Sequence, residues 1–337
     1  MHLSRLSSIY LPAVEEDLQA AVKTVDGDRF SELYAMLAYH MGWLGDGAGA
    51  KASGKRIRPL LVLLTCQAAG GEWKAALPAA SAVELVHNFS LIHDDIEDDS
   101  SLRRGRTTVW KKWGLAQGLN AGDAMYTLAH LAILRLRETA TSQIALNASS
   151  ILLESCLQLT QGQYLDISYE TRRDLTVDDY WPMVRGKTAA LLAACTELGA
   201  LNADCEEGRQ ASFRLFGQHL GLAFQAQDDL LGIWGDAALT GKSAESDLIT
   251  GKKTLPVLFG LNAGGSFAQR WLKGSITPEE LDGLARQLED EGARGYTQDT
   301  ADRLTQLALG HLEDAQPQGE AGMALKELAD LLLNRQG

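Results

Sequence analysis

The run LVHNFSLIHDDIEDDS, residues 85–100, decides the fold. Its apolar residues Phe89, Leu91 and Ile92 precede the acids, it lacks the strict alternation of a strand, and it closes on acids. Positions four apart share a helix face, so Asp94 and Asp98 project their carboxylates together, with His87 and Leu91 near the same stripe. Acids of this kind ordinarily mark a solvated face. Here they follow an apolar run, and like charges one turn apart persist more easily with a cation between them. Phe89 lies five residues before Asp94, about 7.5 Å up the axis at 1.5 Å per residue.

Outward from this run the pattern stays helical. Phe213, Phe216, Leu220 and Phe224 recur at three- and four-residue steps, as do Leu325, Leu328 and Leu332, and β-branched alternation is nearly absent. Helices are expected over 11–42, 57–70, 75–99, 107–118, 121–140, 142–169, 177–201, 206–234, 253–263, 278–292, 296–315 and 319–335. The expectation is an all-α single domain over residues 1–337, with no internal repeat. A second acid pair ends another apolar helix, in LGLAFQAQDDLLGIWGD (220–236), where Asp228 and Asp229 follow Gln225. Two such clusters facing each other across a cavity could hold magnesium against a diphosphate, since magnesium takes oxygen ligands from a few carboxylates, phosphates and water. Zinc fits poorly, because His93 points away from Asp94 and no Cys or His partner lies at ligand spacing.

The 337 residues carry a net charge of −13, which argues against nucleic acid and anionic membranes as partners. Positive charge is nevertheless concentrated in three glycine-containing breaks, residues 42–59, 98–108 and 234–256. Lys55, Arg56 and Arg58 enter a helix; Arg103, Arg104 and Arg106 follow the first acids; Lys187 with Thr188, then Lys242, Lys252 and Lys253, come later. Together they suit two diphosphates, one held through metals and the other by Lys and Arg. Residues 49–55 imitate a nucleotide-phosphate loop, but Arg56 stands where that loop needs Ser or Thr, and no strand precedes it. Four scattered cysteines (66, 156, 195 and 205), no leader and no continuous run of 18 apolar residues suggest a cytoplasmic protein that does not span a membrane.

The segments GKRIRP (54–59), ELVHNFSLIHDDIEDDSSLRRGRTT (84–108), GD (122–123), GQYLD (162–166), GKTAAL (186–191), FQAQDDLLGIWGD (224–236), TGKSAESD (240–247) and GKKTLP (251–256) resemble, in order and spacing, the motifs of trans-isoprenyl diphosphate synthases. The resemblance implies an orthogonal helical bundle of the isoprenoid synthase type with a central substrate cavity, acting as a homodimer. It implies that isopentenyl diphosphate is joined to a dimethylallyl, geranyl or farnesyl diphosphate, with three magnesium ions when substrate is bound. Asp94, Asp98 and Asp228 would hold magnesium, and Asp95, Asp229 and Lys187 would complete the catalytic set. Lys55, Arg58, His87 and Arg104 would hold isopentenyl diphosphate. Arg103, Lys187, Thr188, Gln225, Lys242 and Lys252 would hold the allylic diphosphate. One position departs from the pattern: the second motif ordinarily ends in a third Asp, and here Gly232 replaces it, with Asp236 and Asp247 downstream. Phe89 beside the small Ser90, with no insertion in the first motif, resembles the geranylgeranyl pattern and implies a twenty-carbon product, with farnesyl or longer products as alternatives. A terpene cyclase or squalene-type synthase would not be expected to combine GKRIRP with LRRGRTT. A non-catalytic subunit would be expected to have lost the acids.

Overall fold

A computed structural model describes residues 2–25, 27–235 and 247–333. Helices make up 79% of it, as the periodicity requires. In chain order they are α1 (His2–Lys23), α2 (Ser31–His40), α3 (Ala50–Ser53), α4 (Ile57–Ala68), α5 (Leu77–Glu97), α6 (Val109–Trp113), α7 (Leu115–Leu134), α8 (Ser142–Tyr169), α9 (Val177–Val184), α10 (Ala190–Asn202) and α11 (Glu207–Trp234). The remainder are α12 (Asp247–Thr250), α13 (Leu255–Ala263), α14 (Ser266–Trp271), α15 (Leu281–Asp290), α16 (Ala293–Asp314) and α17 (Gly319–Leu333). Two short strands, β1 (Leu102–Arg103) and β2 (Arg106–Thr107), pair antiparallel between α5 and α6.

The chain forms two compact units. The first comprises Met1–Leu153, Ala194–Ala211 and Ala315–Leu325; the second comprises Glu154–Ala193, Ser212–Asp314 and Lys326–Gly337. In the first, α5 is wedged among α1, α4 and α7. Its residues from Pro78 to Val86 are all buried, Ser81 and Glu84 among them, so the helix is enclosed along that length. The helical run Trp73–Glu97 contains an 18-residue window apolar enough to cross a bilayer, with a mean hydropathy of 1.3, although no continuous 18-residue apolar run exists. Two-thirds of that window is buried within the protein, as befits a core helix. Glycine lets α7 approach α5: a Cβ on Gly122 would stand 2.1 Å from Nε2 of His93. In the second unit, Val257, Phe267, Leu284 and Leu288 form a core against which Trp234 and Trp271 pack.

Several boundaries differ from the sequence reading. The helix expected over 11–42 begins near the N-terminus and breaks after Lys23, in the glycine-containing stretch before α2. The break expected near residue 120 falls at Gly114, whose φ of +90° suits glycine. The helix expected over 177–201 is interrupted by a π turn, Arg185–Ala189. Residues 102–107, read as a loop, form a hairpin whose central residues Arg104 (φ +52°) and Gly105 (φ +74°) adopt the left-handed pair of a tight two-residue turn.

Candidate active site

In the first unit the basic loop and the hairpin are built onto the acid-bearing end of α5. Arg56 takes a left-handed conformation (φ +47°) at the start of α4 and is buried. Its guanidinium pairs with Glu84 at 2.8 Å and Glu15 at 2.7 Å, so this arginine braces the loop. Gly54 clears the way for the hairpin, because a Cβ there would lie 2.7 Å from the Arg104 guanidinium. Arg104 donates to the Ala52 carbonyl at 2.7 Å. Arg106 donates to the carbonyls of Tyr39 and Asp46 and lies over the Tyr39 ring, 3.9 Å from its centroid. GKRIRP and LRRGRTT thus come together although some 45 residues separate them.

Burial, and after it the charge gathered there, shifts the neighbouring groups. His40 is pushed down to about 3 by burial and by Arg104, Arg103, Arg56 and Arg106. His87, half-buried, is held well below its usual range by burial and by Arg58, Arg104 and Arg103, and is therefore neutral at pH 7. Arg58 is lowered by burial, with Cys195 and Glu84 opposing; its Nε, like the Nε2 of His40, is a buried polar atom without a hydrogen-bond partner. Lys55 is exposed at the loop's edge. The orphaned Arg58 N–H amid excess positive charge suits an anion.

The first acid motif ends α5. The Asp98 N–H donates to the Asp94 carbonyl at 2.9 Å, so the turn that puts both on one face is intact. Asp94 is half-buried, Asp98 is exposed, and Asp95 is turned inward at 1% exposure. Arg103 donates from Nε to Asp95 Oδ1 at 2.6 Å, and burial pushes the Asp95 carboxyl up to about 6 against that pull. His93 turns to α7, with Nε2 3.3 Å from the Leu119 carbonyl, as its position beside Asp94 suggested. Phe89, half-buried, meets His93 and Tyr126 edge-on, each at 5.1 Å between centroids. Ser90 is buried and its hydroxyl donates to the His87 carbonyl at 2.8 Å.

The second unit repeats the arrangement of acids. Asp228 is half-buried and Asp229 is buried. Asp229 accepts from the Tyr180 hydroxyl at 2.7 Å, the Leu255 N–H at 2.8 Å and Gln225 Nε2 at 2.9 Å. Burial raises its carboxyl to about 7, and those donors oppose the shift. The Thr188 hydroxyl donates to Gln225 Oε1 at 2.9 Å, giving a chain Thr188–Gln225–Asp229–Tyr180. Lys187 pairs with Asp166. Lys187 and Thr188 lie in the π turn, a local widening often found at functional sites. Two glycines make it possible: a Cβ on Gly162 would stand 2.1 Å from the Lys187 nitrogen, and one on Gly186 2.6 Å from the Gln158 carbonyl. Sequence reasoning had not anticipated that turn, although GQYLD and GKTAAL each supply one of its glycines. Lys252 is exposed, and its N–H donates to the Asp247 carbonyl at 3.1 Å. Lys242 and Asp236 lie outside the described residues.

The donor set bears on magnesium. The acids offer oxygen alone. Oxygen donors of this kind suit a hard cation such as magnesium, whose coordination substrate oxygens and water would complete.

Residues 48–282 match the family model described as Polyprenyl synthetase. The chain is 41% identical over 312 residues to a (2E,6E)-farnesyl diphosphate synthase of Mycobacterium tuberculosis, covering 89% of this chain and 86% of the relative. It is 39% identical over 290 residues to a geranylgeranyl diphosphate synthase of the same organism, covering 84% and 82%. The crystal structure of a polyprenyl synthetase from Streptomyces coelicolor superposes with a TM-score of 0.86 at 37% identity, over 98% of each chain. With the acid and basic motifs in the order that resemblance required, the chain belongs to the polyprenyl synthetase family and is a prenyltransferase.

Proposed function

We propose that this prenyltransferase condenses isopentenyl diphosphate with an allylic diphosphate and releases a trans product five carbons longer. The observation that carries this reading is the assembly in the first unit of the Lys55–Arg58 loop and the arginine hairpin beside Asp94 and Asp98, with Arg103 tied to Asp95. Lys55, Arg58, Arg104 and the neutral His87 hold isopentenyl diphosphate. Arg103, Lys187, Thr188, Gln225, Lys242 and Lys252 serve the allylic diphosphate. Asp94, Asp98 and Asp228 are the carboxylates that hold magnesium, three ions with substrate bound; Asp95 and Asp229 brace them from within. Bound magnesium supplies electrostatic stabilisation of charge on the departing diphosphate. The cationic side chains add to that stabilisation, and the apolar faces around Phe89 and Phe224 keep water from quenching the allylic cation.

Phe89, half-buried against Tyr126 above the acid motif, supports a twenty-carbon product. The farnesyl diphosphate synthase relative makes fifteen carbons the second reading. Incubation with magnesium, labelled isopentenyl diphosphate and primers of each length, with the products resolved by size, separates the two. No extension of any primer refutes the function itself.

The active form is a homodimer of single-domain chains. The apolar side chains that α7 leaves exposed (Leu115, Leu119, Leu131 and Leu134), followed by Leu146 and Leu153 of α8, support a second copy as their cover. Sedimentation equilibrium at micromolar concentration tests this, and a monomer refutes it. A cytoplasmic location without a membrane span is in keeping with four free thiols and a buried apolar helix.

A further inference from the structure

The second unit holds a further cavity, of about 620 Å³, that the condensation leaves unused. None of the residues assigned above to magnesium or to a diphosphate lines it. Its volume is that of a small-molecule site. Three segments wall it: residues 170–173 beyond α8, residues 248–251 with Lys253, and the end of α14 with the residues up to Ile276. Leu248 and Ile276 are buried, Trp271 is half-buried, and Leu272 remains 53% exposed. Lys253 follows Lys252 in GKKT, and its ammonium lies over the Trp271 ring, 5.2 Å from the centroid. Burial lowers the Lys253 amine, and the charge of nearby Arg173 lowers it further. Arg172 is committed to Asp174, at 2.9 and 2.7 Å, whereas among the described residues Arg173 and Lys253 pair with no carboxylate. Glu170 is the one acid lining the cavity.

Two uncommitted cations beside an aliphatic and indole wall suit an anion with a hydrocarbon tail. A nucleotide base fits less well, because Lys253 already covers the Trp271 ring. Two of the three segments also serve the proposed allylic site: α8 carries Asp166, the partner of Lys187, and the residues after α12 include Lys252. We propose that this cavity is a second binding site for a prenyl diphosphate, its head group on Arg173 and Lys253 and its tail against Leu248, Trp271, Leu272 and Ile276. The inference rests on the proposed condensation, which makes prenyl diphosphates the amphiphilic anions at hand. Neither acid motif lines the cavity, so this binding needs no magnesium, and that separates it from the proposed allylic site.

The test is calorimetric titration of S-farnesyl thiodiphosphate, an analogue that resists ionisation, into the full-length protein, once with EDTA and once with magnesium. The wild-type protein should bind it with EDTA and take up a further equivalent with magnesium. Arg173→Ala should weaken the metal-free binding by about 10- to 150-fold. Arg58→Ala, which disables the proposed isopentenyl diphosphate site, should leave it unchanged. Leu272→Ser should weaken it by about 5- to 10-fold and spare inorganic diphosphate, which has no tail. Arg173 and Leu272 are both exposed, so neither change should lower the melting temperature. S-dimethylallyl thiodiphosphate separates the sources of the ligand: affinity equal to that of the farnesyl analogue marks a primer, and weaker binding marks a product. Metal-free binding that Arg58→Ala abolishes and Arg173→Ala spares overturns the inference, and so does a farnesyl analogue that binds no more tightly than inorganic diphosphate. Binding that appears only with magnesium overturns it and leaves the proposed condensation standing. No binding in either buffer refutes both.

Discussion

Alanine at Gly162 is the change that most directly tests whether the π turn positions Lys187 and Thr188. Its Cβ would stand 2.1 Å from the Lys187 backbone nitrogen, 2.6 Å from the Gly186 carbonyl carbon and 2.8 Å from the Lys187 Cα. These are backbone atoms, so no change of rotamer relieves the clash. Ordinary contact begins near 3.4 Å. The turn must therefore retreat by about 1.3 Å, and a displacement of that order costs about 10²-fold in turnover when it moves a substrate-positioning group. Overpacking of this kind also costs about 1–3 kcal/mol of stability, a few degrees of melting temperature for a chain of this size. The assay is steady-state kinetics with each substrate varied in turn. The kcat/KM for the allylic diphosphate should fall about 100-fold while the KM for isopentenyl diphosphate changes least. Gly208→Ala, at a glycine with no atom within 4 Å of the added Cβ, is the control and should leave both unchanged. A folded Gly162→Ala enzyme with normal allylic kcat/KM would refute the argument.

Asp94→Asn should cut turnover by orders of magnitude with the fold intact, which circular dichroism and a magnesium-dependent activity assay check together. Lys55→Ala or Arg58→Ala should weaken mainly isopentenyl diphosphate, and Lys187→Ala mainly the allylic substrate, by about 1.5–3 kcal/mol, or roughly 10- to 150-fold in each KM. Because His40 is depressed to about 3, the folded state resists its protonation. Stability should therefore be lost as pH falls below the unfolded value near 6.5, by about 2 kcal/mol at pH 5 from this group. Chemical denaturation of His40→Gln should show a pH 7 to pH 5 loss smaller by that amount. Phe89→Ala should lengthen the main product by one five-carbon unit or more, and Ser90→Phe should shorten it. An unchanged product from folded, active Phe89→Ala would place the limit on chain length elsewhere.

Much of this was legible in the sequence because the deciding signals are local. The run from Leu85 to Ile96 is a helix by its own periodicity, and Asp94 and Asp98 share a face by counting alone. The second acid pair and the basic clusters were found in the same way. What stayed hidden depends on contacts between segments distant in the chain. The π turn exists because Gly162 and Gly186 press backbone against backbone, and neither glycine announces its partner. The hairpin is only six residues long, and its turn is set by a left-handed Arg104, a conformation that propensity does not favour outside glycine. Arg56 reads like its neighbours Lys55 and Arg58, and only the buried carboxylates of Glu84 and Glu15 separate a bracing role from a binding one.

The same limit explains why each acid motif contains adjacent aspartates. Neighbouring residues on a helix point about 100° apart, so one face can present only one of them. Asp94 and Asp228 take the half-buried position in their units, while Asp95 and Asp229 turn inward and need partners, because an unpaired buried carboxylate is costly. One partner of each lies on a basic segment. Asp95 ties Arg103 of the hairpin, and Asp229 accepts the Leu255 N–H just after GKKT. Each pair therefore joins a carboxylate that can face a cation to a strand or helix end that carries positive charge. The acids and bases of one motif are thereby fixed relative to each other before any ligand arrives, so a protein with net charge −13 can hold local positive fields at the proposed diphosphate sites. Removing an inner acid should loosen the basic segment that it holds.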